Sequence, residues 1–514
     1  MSDSRTANSI RNIMTGFLGQ GIQLILGFVN RLVFIRCLNA EYLGVNGLFT
    51  NILSMLSLAE LGIGTAIVYE LYRPLAQKDE KKIASLMKFY QKAYCGIGLL
   101  IAVAGMCIIP FLNIMIAEPP KINENLVLIY CIFLFNTASS YFFSYKSSIL
   151  TADQKNYLVV GINYIVVFVQ SILQIIILLI TRNFILYLIC QSVGTLIYNI
   201  IISRVADKRY PSIRGKNIQP LDEESRKGLF KNIKALVIIK IGGVLVNSTD
   251  NIIISSIKGL ATTGLNSNYT LLLNTLNSIF QQIFNGITAS VGNLNAVETN
   301  EKKKSMFKII NFLNFWLFAW CTISFIILAN DIVSICFGSR YLLGRSIVVI
   351  SAINFYVVGM QNAVWTYKTT MGLFDYGKYL VVGTGVVNII LSIVFGKQWG
   401  LFGILLATLI SRMLTNVWYD PYAVFKYGFE NNPLEYFGTY VKYIIIGVIT
   451  FGITNWCSEI ITNGNIINFI WKLVSCIVIP NIVFIVLFHN REEFIYLKEK
   501  VQSIIGKLIR RGKK

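Results

Sequence analysis

Residues 11–60 read RNIMTGFLGQGIQLILGFVNRLVFIRCLNAEYLGVNGLFTNILSMLSLAE. From Ile13 to Ile35 the run is apolar enough to cross a bilayer, which takes about 20 residues of helix. One full charge, Arg31, stands inside it. A polar break from Arg36 to Tyr42 follows, and a second span begins near Val45 and carries Glu60. Charges at that depth are costly in hydrocarbon, so they face protein or water rather than lipid.

The same unit returns 220 residues later, when 11–60 is laid on 231–280 without a gap. Arg11 then pairs with Lys231, Gly44 with Gly264, Asn46 with Asn266, Thr50 with Thr270 and Leu53 with Leu273. Asn30-Arg31 falls over Asp250-Asn251, so the break and the charged pair keep register. Repeats of this kind are common in secondary transporters, with the substrate site at the repeat interface.

The rest of the chain agrees. Of 514 residues, 55% are hydrophobic and 14% charged, and mean hydropathy is +0.61. That excludes a soluble globular protein and describes a polytopic all-α membrane protein. We expect fourteen spans, near 13–35, 45–68, 89–109, 125–145, 157–180, 184–203, 235–257, 265–290, 309–329, 346–365, 379–396, 399–419, 438–457 and 465–488. The first run is too long for a signal-peptide core and is followed by no small-residue cleavage site, so it stays as a helix.

The net charge of +21 is a topology signal, not a nucleic-acid signal. With the N-terminus inside, the inner segments hold 35 of the 46 Lys and Arg and the outer segments 8. Both termini are therefore expected in the cytoplasm. The expected organisation is an N-terminal lobe (1–203), a basic cytoplasmic linker (204–234), a C-terminal lobe (235–425), two further helices (426–490) and a basic amphipathic tail (491–514) on the inner surface.

Polar residues line up on four of these helices. Lys240, Asn247, Asn251 and Lys258 share one face of helix seven, with Asp250 beside it. Thr270, Asn274, Asn277, Gln281 and Asn285 share one face of helix eight, and Gln20, Gln23 and Asn30 one face of helix one, with Arg31 at its border. Helix two adds Asn46, Ser57 and Glu60. Lipid does not tolerate such faces, so they turn toward each other, either as a dry hydrogen-bonded interface or as a wet cavity for a polar substrate. The density of amides, which suit sugar hydroxyls, favours the cavity.

Arg31 and Asp250 fall at equivalent depth and either form a structural ion pair or act separately. In the second case Arg31, with Lys240, offers charge to a phosphate, while Glu60 and Asp250 are candidates for coupling to protons or sodium. No cofactor is expected. Nine cysteines form no CxxC pair, and the one histidine, His489, leaves no metal site or catalytic triad. Gly372 to Tyr379 imitates a phosphate-binding loop, but Tyr379 stands where Mg²⁺ needs Ser or Thr, and no strand precedes it.

Leu38-x-x-Glu41-Tyr42-x-Gly44, Leu58-Ala59-Glu60-Leu61-Gly62 and Asn247-x-x-Asp250-x-Ile252-Ile253-Ile254 resemble the bacterial polysaccharide flippases. These are the Wzx-like exporters of O-antigen, capsule and teichoic-acid repeat units in the multidrug/oligosaccharidyl-lipid/polysaccharide (MOP) superfamily. The resemblance implies two six-helix lobes plus two C-terminal helices, as in the multidrug (MATE) exporters, around a cavity that opens alternately to each side. It implies a cargo of undecaprenyl-diphosphate-linked oligosaccharide, handled with the pathway's polymerase and glycosyltransferases, and a monomer suffices. Arg31 and Lys240 match the cationic cavity residues of that family. A cation-coupled multidrug exporter is the alternative, although it would want acidic cavity residues. A peptidoglycan-precursor or sporulation flippase carries the same features. A membrane polymerase or ligase would need a sizeable outer loop, which the chain lacks.

Overall fold

The computed structural model describes residues 5–57, 63–116, 120–153, 155–215, 218, 220, 221, 223, 248–373, 376–460 and 465–511. Every regular element among them is helical, and nine helices are long and apolar enough to cross a membrane. By contacts the chain divides into two compact units, Met1–Ser267 and Asn268–Lys514. Of the expected linker, 204–234, residues 224–234 lie outside the described set, as do Glu60, Lys240 and Asn247.

The first unit holds α1 (Arg5–Cys37), α2 (Ala40–Leu56), α3 (Ile63–Gln77), α4 (Glu80–Ile108), α5 (Leu126–Ala152), α6 (Asn156–Thr181), α7 (Phe184–Arg209) and the start of α8 (Asp250–Val297). The break after α1 is shorter than its polarity suggests, only Leu38 and Asn39. Asn39 is extended, and its side chain accepts from the amides of Glu41 at 3.0 Å and Tyr42 at 3.3 Å. That caps two amides of the new helix at once, so Ala40 to Tyr42 join α2 instead of the turn. The second span, expected as one helix over 45–68, is described as two pieces, α2 ending at Leu56 and α3 starting at Ile63.

Aromatic edges lock the unit. Phe34 meets the edges of Phe184 and Tyr187 at 5.7 and 5.4 Å, and Phe49 meets Tyr130 at 5.2 Å. Such pairs add about 0.5–1.5 kcal/mol to area burial. In contrast α6 turns Ile165, Val169, Ile172, Ile176 and Ile180 outward, Ile180 being 77% exposed. That stripe suits lipid and would be a liability in water.

The second unit holds the rest of α8, then α9 (Asn300–Phe337), α10 (Arg345–Thr370), α11 (Lys378–Leu414), α12 (Asn416–Ala423), α13 (Leu434–Ser458), α14 (Asn465–Phe488) and α15 (Glu492–Arg511). Helix α11 contains two expected spans, and the corner between them is the single residue Gly400, at φ 63°. Its arms are zipped by buried polar pairs. Asn388 donates to Thr408 at 3.0 Å, and the hydroxyls of Thr384 and Thr415 are 2.7 Å apart. The described ends of the phosphate-loop imitation, Gly372 and Tyr376-Gly377, are turn residues leading into α11.

Helix α9 is the axis of this unit. Phe315 stacks on Tyr443 of α13 at 4.2 Å, and Trp316 and Trp320 donate to Asn481 and the Cys476 carbonyl of α14. Lys368 of α10 pairs with Asp420 of α12 at 2.6 Å, and Trp365 donates to the other carboxylate oxygen at 3.0 Å. Asp420 is only 2% exposed, so this charge survives burial because both of its oxygens are satisfied.

Candidate functional site

Arg31 is half-buried in the last two turns of α1, and its guanidinium donates to the hydroxyl of Ser267. Ser267 in turn donates to the Gly264 carbonyl at 2.7 Å. This contact has an image. In the 220-residue register Arg31 corresponds to Asn251, and Gly47 corresponds to Ser267. A methyl group placed on Gly47 would lie 3.6 Å from the Asn251 amide nitrogen. Arg31 thus reaches Ser267 as Asn251 reaches Gly47.

The helix starts repeat the relation at closer range. A Cβ on Gly44 would drive into the carbonyl of Leu260, and a Cβ on Gly264 into the carbonyl of Ala40. Ala40 and Leu260 are again register mates. Segments 31–47 and 251–267 therefore exchange contacts by an approximate two-fold, in the register in which the repeat pairs them. Only glycine permits so close a backbone approach at both crossing points. The corner before the second crossing is Gly259, at φ 80°, where a side chain would be strained.

The other expected site residues fall in different settings. Asp250 opens α8 and is half-buried, as is Asn251. Gln20 accepts from the Tyr164 hydroxyl of α6 at the long limit of 3.5 Å, and Gln23 is half-buried. Asn30 donates to Gln174 of α6 at 3.1 Å, and Gln174 donates to the Tyr187 carbonyl at 3.3 Å. The polar stripe of α1 is thus partly consumed inside its own unit. In the second unit Asn274 and Gln281 are exposed and Asn277 is half-buried. Gln281 donates to Asn362 of α10 at 3.4 Å.

Two participants were not singled out from the sequence, Ser267 and Thr263. Thr263 is buried, with its methyl group 3.8 Å from the Cβ position of Gly47. The signal was available, since Ser267 stands over Gly47 in the repeat. Among the described residues no cluster of His, Cys, Asp or Glu could hold a metal ion. Chemically the described residues offer a guanidinium, amides and hydroxyls, groups suited to anions and polyols.

No protein-family model matches the sequence, and no curated protein matches it. Solved structures do. A lipid II flippase MurJ, in an inward closed conformation, matches with a TM-score of 0.63 at 16% identity, covering 93% of this chain and 99% of that one. An inward-facing multidrug resistance MATE family transporter of the MOP superfamily matches at TM-score 0.56 and 12% identity, covering 80% and 98%. A mutant of the Vibrio cholerae MATE transporter VcmN matches at TM-score 0.55 and 13% identity, covering 84% and 99%. These neighbours are transporters and flippases, not enzymes. The chain has the all-helical fold that MOP-superfamily transporters and the lipid II flippase share.

Proposed function

We propose that the protein is a flippase that moves an undecaprenyl-diphosphate-linked oligosaccharide from the inner to the outer leaflet of the bacterial cytoplasmic membrane by alternating access. The observation that carries this reading over multidrug export is coverage. The lipid flippase accounts for 93% of this chain, whereas the two MATE structures, used almost whole, account for 80% and 84%. The exposed amides Asn274 and Gln281 on one face of α8 suit sugar hydroxyls in water rather than a dry interface. Arg31 suits the diphosphate, with Ser267 holding its side chain in place.

The driving force follows from charge. Moving an anion outward is favoured by an inside-negative potential and releases roughly 2.3 kcal/mol per charge per 100 mV. A cargo with two negative charges needs no ATP, and its lipid tail stays in the bilayer throughout. Protons or sodium acting at Asp250 or Glu60 are the alternative supply.

The test is made in cells lacking the gene. Lipid-linked oligosaccharide should accumulate on the inner leaflet, and its sugars identify the cargo and pathway. Cells that accumulate none but become sensitive to cationic dyes would replace this reading with cation-coupled drug export.

A further inference from the structure

A cavity of about 300 Å³ opens in the second unit where the first turns of α9 and α13 meet the junction of α14 and α15. It lies within the second unit and includes none of the polar-stripe residues. Its floor is aromatic, with Phe312 and Phe488 at 4.9 Å. Its rim carries three cations, Lys308, Lys442 and Arg491, and two carboxylates, Glu435 and Glu493. Glu435 is held by Lys304 at 2.5 Å and Lys308 at 2.8 Å. Lys442 and Arg491 are exposed and make no ion pair among the described residues.

Among the described residues, two polar groups in the wall have no hydrogen-bond partner. Asn311 is 3% exposed and its amide oxygen accepts no hydrogen bond, and Tyr436 is 3% exposed with an unbonded hydroxyl. Leaving such groups buried and unsatisfied is costly, and a bound molecule that pairs with them recovers that cost. The unsatisfied set defines what fits. Lys442, Arg491 and the Tyr436 hydroxyl want acceptor oxygens, and the Asn311 oxygen wants a donor. Beyond Lys442, α13 exposes Val441, Ile445 and Val448 along one face, a track for an acyl chain.

We propose that this cavity binds the headgroup of an acidic phospholipid whose phosphodiester carries a hydroxylated substituent, phosphatidylglycerol being the simplest example. The phosphate lies between Lys442 and Arg491, a headgroup hydroxyl donates to Asn311, and one acyl chain follows α13. The site is a resident-lipid site, separate from cargo handling.

The full-length protein would be purified, reconstituted in phosphatidylcholine discs with and without phosphatidylglycerol, and examined by native mass spectrometry for retained lipid. Wild type should retain phosphatidylglycerol over phosphatidylcholine by about tenfold. The Lys442→Gln/Arg491→Gln variant, altered only at exposed positions, should lose that preference. Asn311→Leu should keep anionic lipid but no longer prefer phosphatidylglycerol to phosphatidic acid. If Asn311→Leu fails to fold, the exposed double variant decides. Retention unchanged in the double variant overturns the proposal. So does displacement of the lipid by inorganic phosphate at equal concentration, which would mean a phosphate site with no lipid requirement.

Discussion

Gly44 and Gly264 face each other so closely that a Cβ on Gly264 would come within 3.2 Å of the Gly44 amide nitrogen. The two glycines are 220 residues apart and occupy the same place in the repeat. Each also blocks a carbonyl of the other segment's helix start, so the crossing cannot admit a methyl group from either side.

Gly44→Ala and Gly264→Ala should each destabilise this closed crossing by about 1–3 kcal/mol, the usual cost of overpacking. The double variant should cost less than the sum, because both methyl groups force the same separation. Thermal unfolding of the purified variants measures this. Strict additivity would mean that the two substitutions are relieved independently and that the crossing is not one contact.

Arg31→Ala should abolish export, and Arg31→Lys should restore little of it, since an ammonium cannot reproduce the planar fork on a diphosphate. Ser267→Ala should have a milder effect, because it removes a support and leaves the guanidinium. The assay is surface polysaccharide in complemented cells at matched protein levels. Full function in Arg31→Lys would reduce the requirement to a positive charge.

Asp420→Asn should cost about 3–5 kcal/mol, because it leaves Lys368 without its counter-charge beside a group only 2% exposed. Combining it with Lys368→Met should recover part of the loss. A double variant worse than the single would contradict the ion-pair account.

Phe315→Ala should cost about 3–5 kcal/mol, since the ring is fully buried and stacked on Tyr443 at 4.2 Å. Val448→Ala, at a side chain 64% exposed on α13, should lie within about 0.5 kcal/mol of wild type in detergent. Equal effects would mean that α13 presents a different face from the one described.

The helices were legible because length and apolarity dictate a span, and the repeat because its polar break keeps register. The break itself was overextended. Arg36 and Ala40 to Tyr42 look like a loop by polarity, but Arg36 still belongs to α1 and Asn39 recruits Ala40 to Tyr42 into α2 by capping two amides. Residues 58–62, between α2 and α3, lie outside the described residues. On α1 the stripe of Gln20 and Asn30 was correctly seen as one face, yet periodicity cannot say whether a face meets water or another helix. Gln174 and Tyr164 of α6 answer for part of it. The unsatisfied Asn311 and Tyr436 were invisible because they line one cavity only after α9 and α13 have packed.

The connections Leu38-Asn39, Arg182-Asn183, Gly259 and Gly400 join successive helices with one or two residues each. All four fall on the face expected to meet the cell exterior. At those four corners an antibody, phage tail or protease finds almost no chain to grip. Epitope tags and fluorescent fusions therefore belong at the basic end.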